Sequence, residues 1–206
     1  LVEEESLERL RKVSEEAAAT KAEAGSNTQK LGDFYWTGMD SAGIEQLGIQ
    51  PLKEEFEKIN AIRTKQDVLD MIARMQTYGS TPLFDFVIYQ DEMNSERYTV
   101  HLWQGGLGLP NRDYYFNTDE RTVNIRKEYL VHLKNMFQLL GDDSLTARKN
   151  SETVFAIEKN LAASSRKLED LRDPYRNYNK LSITNVNKLT PSINWKNMLE
   201  KMSVKN

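Results

Sequence analysis

A mainly α fold, multi-helical with one small β-hairpin, is predicted by three observations on this 206-residue chain. Apolar residues recur at three- and four-residue spacing through most of its length. Capping residues and glycines punctuate those stretches at helix-sized intervals. One region alone, near residues 84–103, is dense in aromatic and β-branched side chains.

The elements follow in order. Leu7, Leu10 and Val13, then Ala17 to Ala19, predict a helix from Glu3 to Ala24, broken at Gly25-Ser26-Asn27. A second runs from Thr28 to Thr37, with Leu31, Phe34 and Tyr35 on one side. Asp40 or Ser41 is placed to cap a short helix through Ile44 and Leu47, which Gly48 ends. Pro51 suits the first turn of a helix through Phe56, Ile59 and Ile62. Thr64-Lys65-Gln66-Asp67 has the pattern of a capping box, followed by the apolar face of Val68, Leu69, Ile72 and Met75. Phe84–Tyr89 and Arg97–Trp103 are strand-like, with Gln90–Glu96 as the hairpin loop. A two-stranded hairpin is marginal alone and needs a covering layer. Gly105–Pro110 is a bent loop. A long helix is predicted from Asp119 to Leu140, stopped by Gly141, and Ser144 is placed to cap the next, through Val154, Ile157 and Leu161. Arg172-Asp173-Pro174 turns the chain and Tyr178-Asn179 lies in a loop. Short helices are expected from Thr184 to Leu189 and from Asn194 to Met202. No internal repeat or flexible linker interrupts the pattern, so residues 1–206 are read as a single helical domain.

Composition excludes several functions. Lys and Arg number 28 against 31 Asp and Glu, for a net charge of −3, and the signs are interleaved. No basic field is present for nucleic acid or anionic lipid. The Glu3-Glu4-Glu5 cluster fits a solvated first helical turn. There is no cysteine, which removes disulfides, thiol catalysis and Cys-ligated zinc. No run of about 18 apolar residues exists to span a membrane. The first residues, Leu1-Val2-Glu3-Glu4, carry no initiator Met and no leader pattern, as expected of a processed or trimmed chain.

Chemistry is hard to find. A helical zinc site of the HExxH type needs two histidines four residues apart with a glutamate between them. The two histidines are instead isolated, in His101-Leu102-Trp103-Gln104-Gly105 and His132-Leu133-Lys134-Asn135-Met136. No serine sits in a Gly-x-Ser-x-Gly elbow. Gly106-x-Gly108-x-x-Asn111 lacks the third glycine of a dinucleotide fingerprint, and Pro110 intrudes. Asp91, Asn94 and Glu96 lack the sixth-position glycine and twelfth-position glutamate of a calcium loop, so solvated hairpin polarity is the expectation. Phe34-Tyr35-Trp36 and Tyr114-Tyr115-Phe116 cannot face one way on a helix. Core packing with a few exposed edges is expected of them, against the alternative of a cavity wall. No catalytic and no metal-binding residue is assigned.

One string adds information. Gly106-Leu107-Gly108-Leu109-Pro110-Asn111-Arg112-Asp113-Tyr114-Tyr115 closely resembles the GLGLP-x-RDYY signature of the neprilysin family of zinc metallopeptidases, in its N-terminal region. Companions occur in the family's order. They are Phe34-Tyr35 with Met39-Asp40, Leu47-Gly48 with Pro51-Leu52, Gln104-Gly105-Gly106, Arg172-Asp173-Pro174 with Tyr178-Asn179-Lys180, and Thr190-Pro191 with Ile193-Asn194-Trp195. The likeness extends from about Leu7 to Trp195.

The resemblance implies two mostly helical lobes around a cavity, this segment being the capping lobe that restricts access to short peptides. It implies zinc in the full-length protein only, with HExxH far downstream and the catalytic lobe of the same polypeptide as partner. The family's substrate contacts in this lobe would lie around or before Leu1. The positions that carry over are structural: Gly106, Gly108 and Pro110 in the loop, Arg112 and Asp113 as a buried or capping pair, Tyr114 and Tyr115 beside them, and Asp173, Pro174, Tyr178 and Asn179 in the later turn. Gly38 stands where vertebrate membrane-bound members carry a disulfide cysteine, and no Asn-x-Ser/Thr sequon is present. Both features resemble the bacterial endopeptidase O type, which implies export to the periplasm or beyond. The competing expectation is a stand-alone helical interaction module without catalysis.

Overall fold

The computed structural model describes residues 2–204. The chain separates into two compact units, Leu1–Glu57 and Lys58–Asn206.

In the first unit, α1 (Val2–Ala19) and α2 (Asn27–Met39) pack together, followed by α3 (Ser41–Leu47) and a 3₁₀ turn at Gln50–Leu52. The entry to α4 (Lys53–Asn60) closes the unit. Helix α1 ends five residues short of the expected Ala24. Thr20 N–H bonds back to Ala17 O, and Gly25, at φ +82°, starts the turn to Ser26, the N-cap of α2. The two helices meet through small residues. A Cβ on Gly32 would stand 2.5 Å from Ala17 O, so only glycine allows this approach. Close contact there leaves the Leu7, Leu10 and Val13 stripe bare. Phe34 and Trp36 also stand in solvent, with Phe34 81% exposed, so the expectation of core packing for this triplet is corrected.

The second unit holds α5 (Lys65–Gln76), the hairpin β1 (Phe84–Asp91) and β2 (Asn94–Gln104), α6 (Asp113–Phe116), α7 (Glu120–Leu139) and α8 (Ser144–Ser164). Three short helices follow: α9 (Pro174–Asn177), α10 (Ile183–Leu189) and α11 (Trp195–Lys201). Helix α5 opens with the expected capping box between Thr64 and Asp67. One expected cap moves by a residue: Asp143 rather than Ser144 accepts from Leu145 and Thr146 N–H. Helix α10, expected from Thr184, begins at Ile183 behind its cap Ser182. A carboxylate accepts two amide N–H bonds and complements the helix dipole, so Asp143 competes better than the neighbouring serine.

The hairpin differs more from expectation. Its strands run almost to the tip, leaving only Glu92 and Met93 between them, with a register irregularity at Gln90/Asp91. The expected seven-residue loop is therefore mostly strand. Two apolar clusters form the core. One joins Ile72 and Ala73 of α5 to Trp195 and Met198 of α11 and to Met202, with Phe84 and Phe86 of β1 packed against it. The covering layer required by the hairpin is thus α5 and α11, and it covers only the strand bases. The other cluster gathers Leu109, Tyr115 and Ala162, with Tyr129 of α7 and Phe155 of α8 alongside.

Candidate functional site

The signature string folds as a loop gripped by one carboxylate. Glu158 of α8, itself buried, accepts from Tyr115 Oη at 2.9 Å and from Tyr129 Oη at 2.8 Å. Tyr115, 2% exposed, has its hydroxyl in turn accept the Leu109 N–H at 3.1 Å. The loop, α7 and α8 therefore share a single polar junction within the second apolar cluster. Burial, and then the neighbouring carboxylate, push both tyrosine hydroxyls above their ordinary pKa, so they stay protonated donors.

Two glycines are required by this geometry. A Cβ on Gly108 would lie 1.9 Å from Tyr129 Oη and 3.0 Å from Glu158 Oε1. Gly106 adopts φ +73°, and its Cβ would stand 2.6 Å from Leu83 Cα. Leu83 itself has φ +72°, an uncommon conformation for a side-chain-bearing residue. The loop and residue 83 thus meet backbone to backbone. Pro110 is exposed and follows the buried Leu109.

Arg112 and Asp113 do not behave as the expected buried or capping pair. Both are half-buried, the Asp113 N–H is capped by Asn111 Oδ1 at 2.9 Å, and the Arg112 guanidinium lies 4.9 Å from the Phe116 ring centre. An extended guanidinium plane gains more over an aromatic face than against a half-solvated carboxylate. The carbonyl of half-buried Tyr114 accepts from Arg126 Nη1 at 2.8 Å, which ties α6 to α7.

The later motif forms a second junction. Asp173 caps α9 by accepting from Tyr175 and Arg176 N–H, with Pro174 in the first turn. Asn179 donates to Asn177 O at 3.0 Å. Tyr178 Oη donates to Asp91 Oδ1 at 2.9 Å, and the Lys180 ammonium pairs with Asp91 Oδ2. Asp91, 2% exposed, also accepts the Met93 N–H at 3.0 Å. Lys180 first, and then that N–H, hold its pKa down to about 2. Asp91 is thus a buried clasp at the hairpin tip, which corrects the expectation of solvated loop polarity. No local pattern marked it: the ladder register breaks between Gln90 and Asp91, and its partners Tyr178 and Lys180 follow 87 and 89 residues later.

Between these junctions, Gln104 takes the part of a strand residue. Its side-chain amide donates to Arg166 O at 3.1 Å and accepts from Arg166 N–H at 2.8 Å. Here a cleft of about 450 Å³ opens, lined by Asp85, Trp103, Gly105, Leu109, Pro110 and Leu168 among others. A groove of about 370 Å³ between α1 and α2 contains none of the motif residues of the loop.

Zinc chemistry finds no fit here. Among the described residues no group of three or more His, Asp or Glu side chains could hold a metal. His101 bonds Thr99 Oγ1 at 3.1 Å, and His132 stacks beside Tyr129 at 6.4 Å. Among the described residues no helix is long and apolar enough to cross a membrane.

The signature loop is thus locked by two tyrosines on one carboxylate. The whole chain, residues 1–206, matches the model of peptidase family M13, and it belongs to that family, in its N-terminal region. It is 28% identical over 212 residues to endothelin-converting enzyme-like 1 of Rattus norvegicus, which covers 97% of this chain and 27% of that protein. Endothelin-converting enzyme 1 of Cavia porcellus is 31% identical over 196 residues, covering 90% and 25%. The zinc metalloprotease Zmp1 of Mycobacterium tuberculosis, in its open state, superposes with a TM-score of 0.86 at 25% identity, covering 96% of this chain and 30% of that one. The chain spans about a quarter of the length of the curated relatives it matches.

Proposed function

We propose that this chain is the non-catalytic capping lobe of a longer, exported, neprilysin-like zinc endopeptidase of bacterial type. The observation that carries the reading is the match of every residue to the family over only a quarter of its relatives' length. Both compact units are assigned to that one lobe. In the full-length protein the lobe walls the cavity opposite the zinc-bearing lobe, admits short peptides and excludes folded proteins. The 206 residues alone do not hydrolyse peptides.

The test uses the full-length protein and the 206-residue chain side by side. Chelator-sensitive cleavage of short peptides is expected from the full-length protein only, with folded proteins left intact. Cleavage by the 206-residue chain, or equal cleavage of folded proteins, refutes the capping role. A full-length protein without chelator-sensitive cleavage leaves the interaction-module reading in its place.

A further inference from the structure

The cleft of about 450 Å³ at the foot of the hairpin has the volume of a small-ligand site, roughly 300–1,000 Å³. Among the described residues that line it, Asp85 alone is charged, so the cleft carries a net negative charge. The ladder sets Asp85 directly opposite Trp103, which lines the cleft with it. Paired residues of an antiparallel ladder share a face, with Cβ atoms about 4.5–5.5 Å apart. A carboxylate and an indole therefore stand side by side in one wall.

Neither side chain has a partner of its own. Among the described residues no hydrogen bond or ion pair engages the Asp85 carboxylate, and no cation or second ring stacks on Trp103, which is 38% exposed. Elsewhere the chain fills such positions itself: Arg74 lies over the Tyr78 ring at 5.0 Å and Arg112 over Phe116 at 4.9 Å. Arg166 borders the cleft through its main chain, which holds both ends of the Gln104 amide. Its guanidinium donates instead to Asn177 Oδ1 and Asp170 O, so it is not available to Asp85. Gly105 keeps the carboxylate within reach. A Cβ there would stand 2.7 Å from Asp85 Oδ1 and 2.9 Å from Asp85 N, so the bare backbone lets the carboxylate lie over the entry to the loop.

We propose that this cleft binds a guanidinium group, the arginine side chain of a peptide, between Asp85 and Trp103. A guanidinium presents a planar fork of N–H donors to a carboxylate, and it is weakly enough hydrated to lie on an aromatic face at the same time. Asp85 and Trp103 are those two partners. The apolar part of the lining, with Leu107, Leu109 and Leu168, suits the methylene stem behind the charged head. Other cations fit less well. Among the described residues no group of three acidic or histidine side chains exists to hold a metal ion. A quaternary ammonium takes a cage of several rings, and Trp103 is the one ring in the described lining. The site does not depend on the peptidase reading.

The experiment follows the fluorine spectrum of full-length protein labelled with 5-fluorotryptophan, the Trp103 resonance being identified by its loss in Trp103→Phe. Nα-acetyl-arginine amide is titrated in, beside its neutral isostere Nα-acetyl-citrulline amide and beside Nα-acetyl-lysine amide. The arginine amide is expected to shift the Trp103 resonance saturably, with half-saturation on the order of 1 mM, and to bind more weakly as salt is raised. The citrulline amide is expected to bind at least about tenfold more weakly, and the lysine amide severalfold more weakly. Asp85→Asn removes the charge from a side chain that holds no bond in the fold, and it is expected to weaken the arginine amide at least about tenfold with Tm unchanged. The citrulline comparison is made on the unsubstituted protein, so it decides the question even if the variant fails to fold. Equal binding of arginine and citrulline amides, a lysine amide as tight as arginine, full binding by folded Asp85→Asn, or no saturable shift below about 30 mM overturns the proposal.

Discussion

Replacing Tyr115 by phenylalanine removes one oxygen and two hydrogen bonds from a buried site. The Glu158 carboxylate loses the donor at 2.9 Å, and the N–H of buried Leu109 loses the acceptor that held it at 3.1 Å. A bond to a charged group contributes about 1.5–3 kcal/mol, and a buried donor left alone costs about 1–3 kcal/mol. The lower ends of those ranges sum to about 2.5 kcal/mol, so a loss of about 3 kcal/mol is expected. That is roughly a 150-fold shift in the folding equilibrium at 1.4 kcal/mol per decade. At about 2–4 °C per kcal/mol for a chain of this length, Tm falls by about 6–12 °C. Urea titration and thermal scans followed by circular dichroism measure both, with Tyr175→Phe as the exposed control. Tyr129→Phe shares the acceptor, so the double variant is expected to lose more than the sum of the two, by roughly 1 kcal/mol. A loss under about 0.5 kcal/mol for Tyr115→Phe, matching the control, refutes the junction.

Gly108→Ala is expected to cost about 2 kcal/mol, because its Cβ enters 1.9 Å from Tyr129 Oη. In a Tyr129→Phe background part of that penalty disappears, and additive urea midpoints would count against the contact. Asp91 has its pKa lowered to about 2, so its contribution is complete above the unfolded value of about 4. It is lost as pH falls from about 4 to 2, and Asp91→Asn flattens that limb of the stability profile. Tyr115 and Tyr129 have raised pKa values, so their contribution is complete below about pH 10 and is lost as pH rises beyond it. Both tyrosine-to-phenylalanine variants flatten the alkaline limb in the same titration. Trp195→Ala removes the ring packed 5.5 Å from Phe84 and is expected to cost about 3–5 kcal/mol by denaturant titration.

Much of the fold was legible because its signals are local. Thr64 and Asp67 define a capping box within four residues, and Gly48 and Gly141 sit at helix ends where spacing alone places them. What stayed hidden depends on distant partners. Asp91 has the polarity of a loop residue until Tyr178 and Lys180, 87 and 89 residues later, are seen beside it. Glu158 lies mid-helix among ordinary surface charges, and only the approach of Tyr115 from 43 residues away makes it a junction. Arg112 and Asp113 adjoin in the motif, yet adjacency on a short helix sends their side chains different ways. The Leu7, Leu10 and Val13 periodicity marks a helix, but periodicity alone does not say that the stripe is buried, and it stays exposed.

The clasp at the hairpin tip also carries a consequence for synthesis. Asp91 leaves the ribosome well before Tyr178, which follows 87 positions later. At about 5–20 residues per second that interval is roughly 4–17 s. Throughout it the two strands stand without their fastening, their outer edges open to any neighbouring chain. Nascent chains on one message pass through that window together. Slower translation of residues 105–178 would lengthen it, and with it the time those edges stand open.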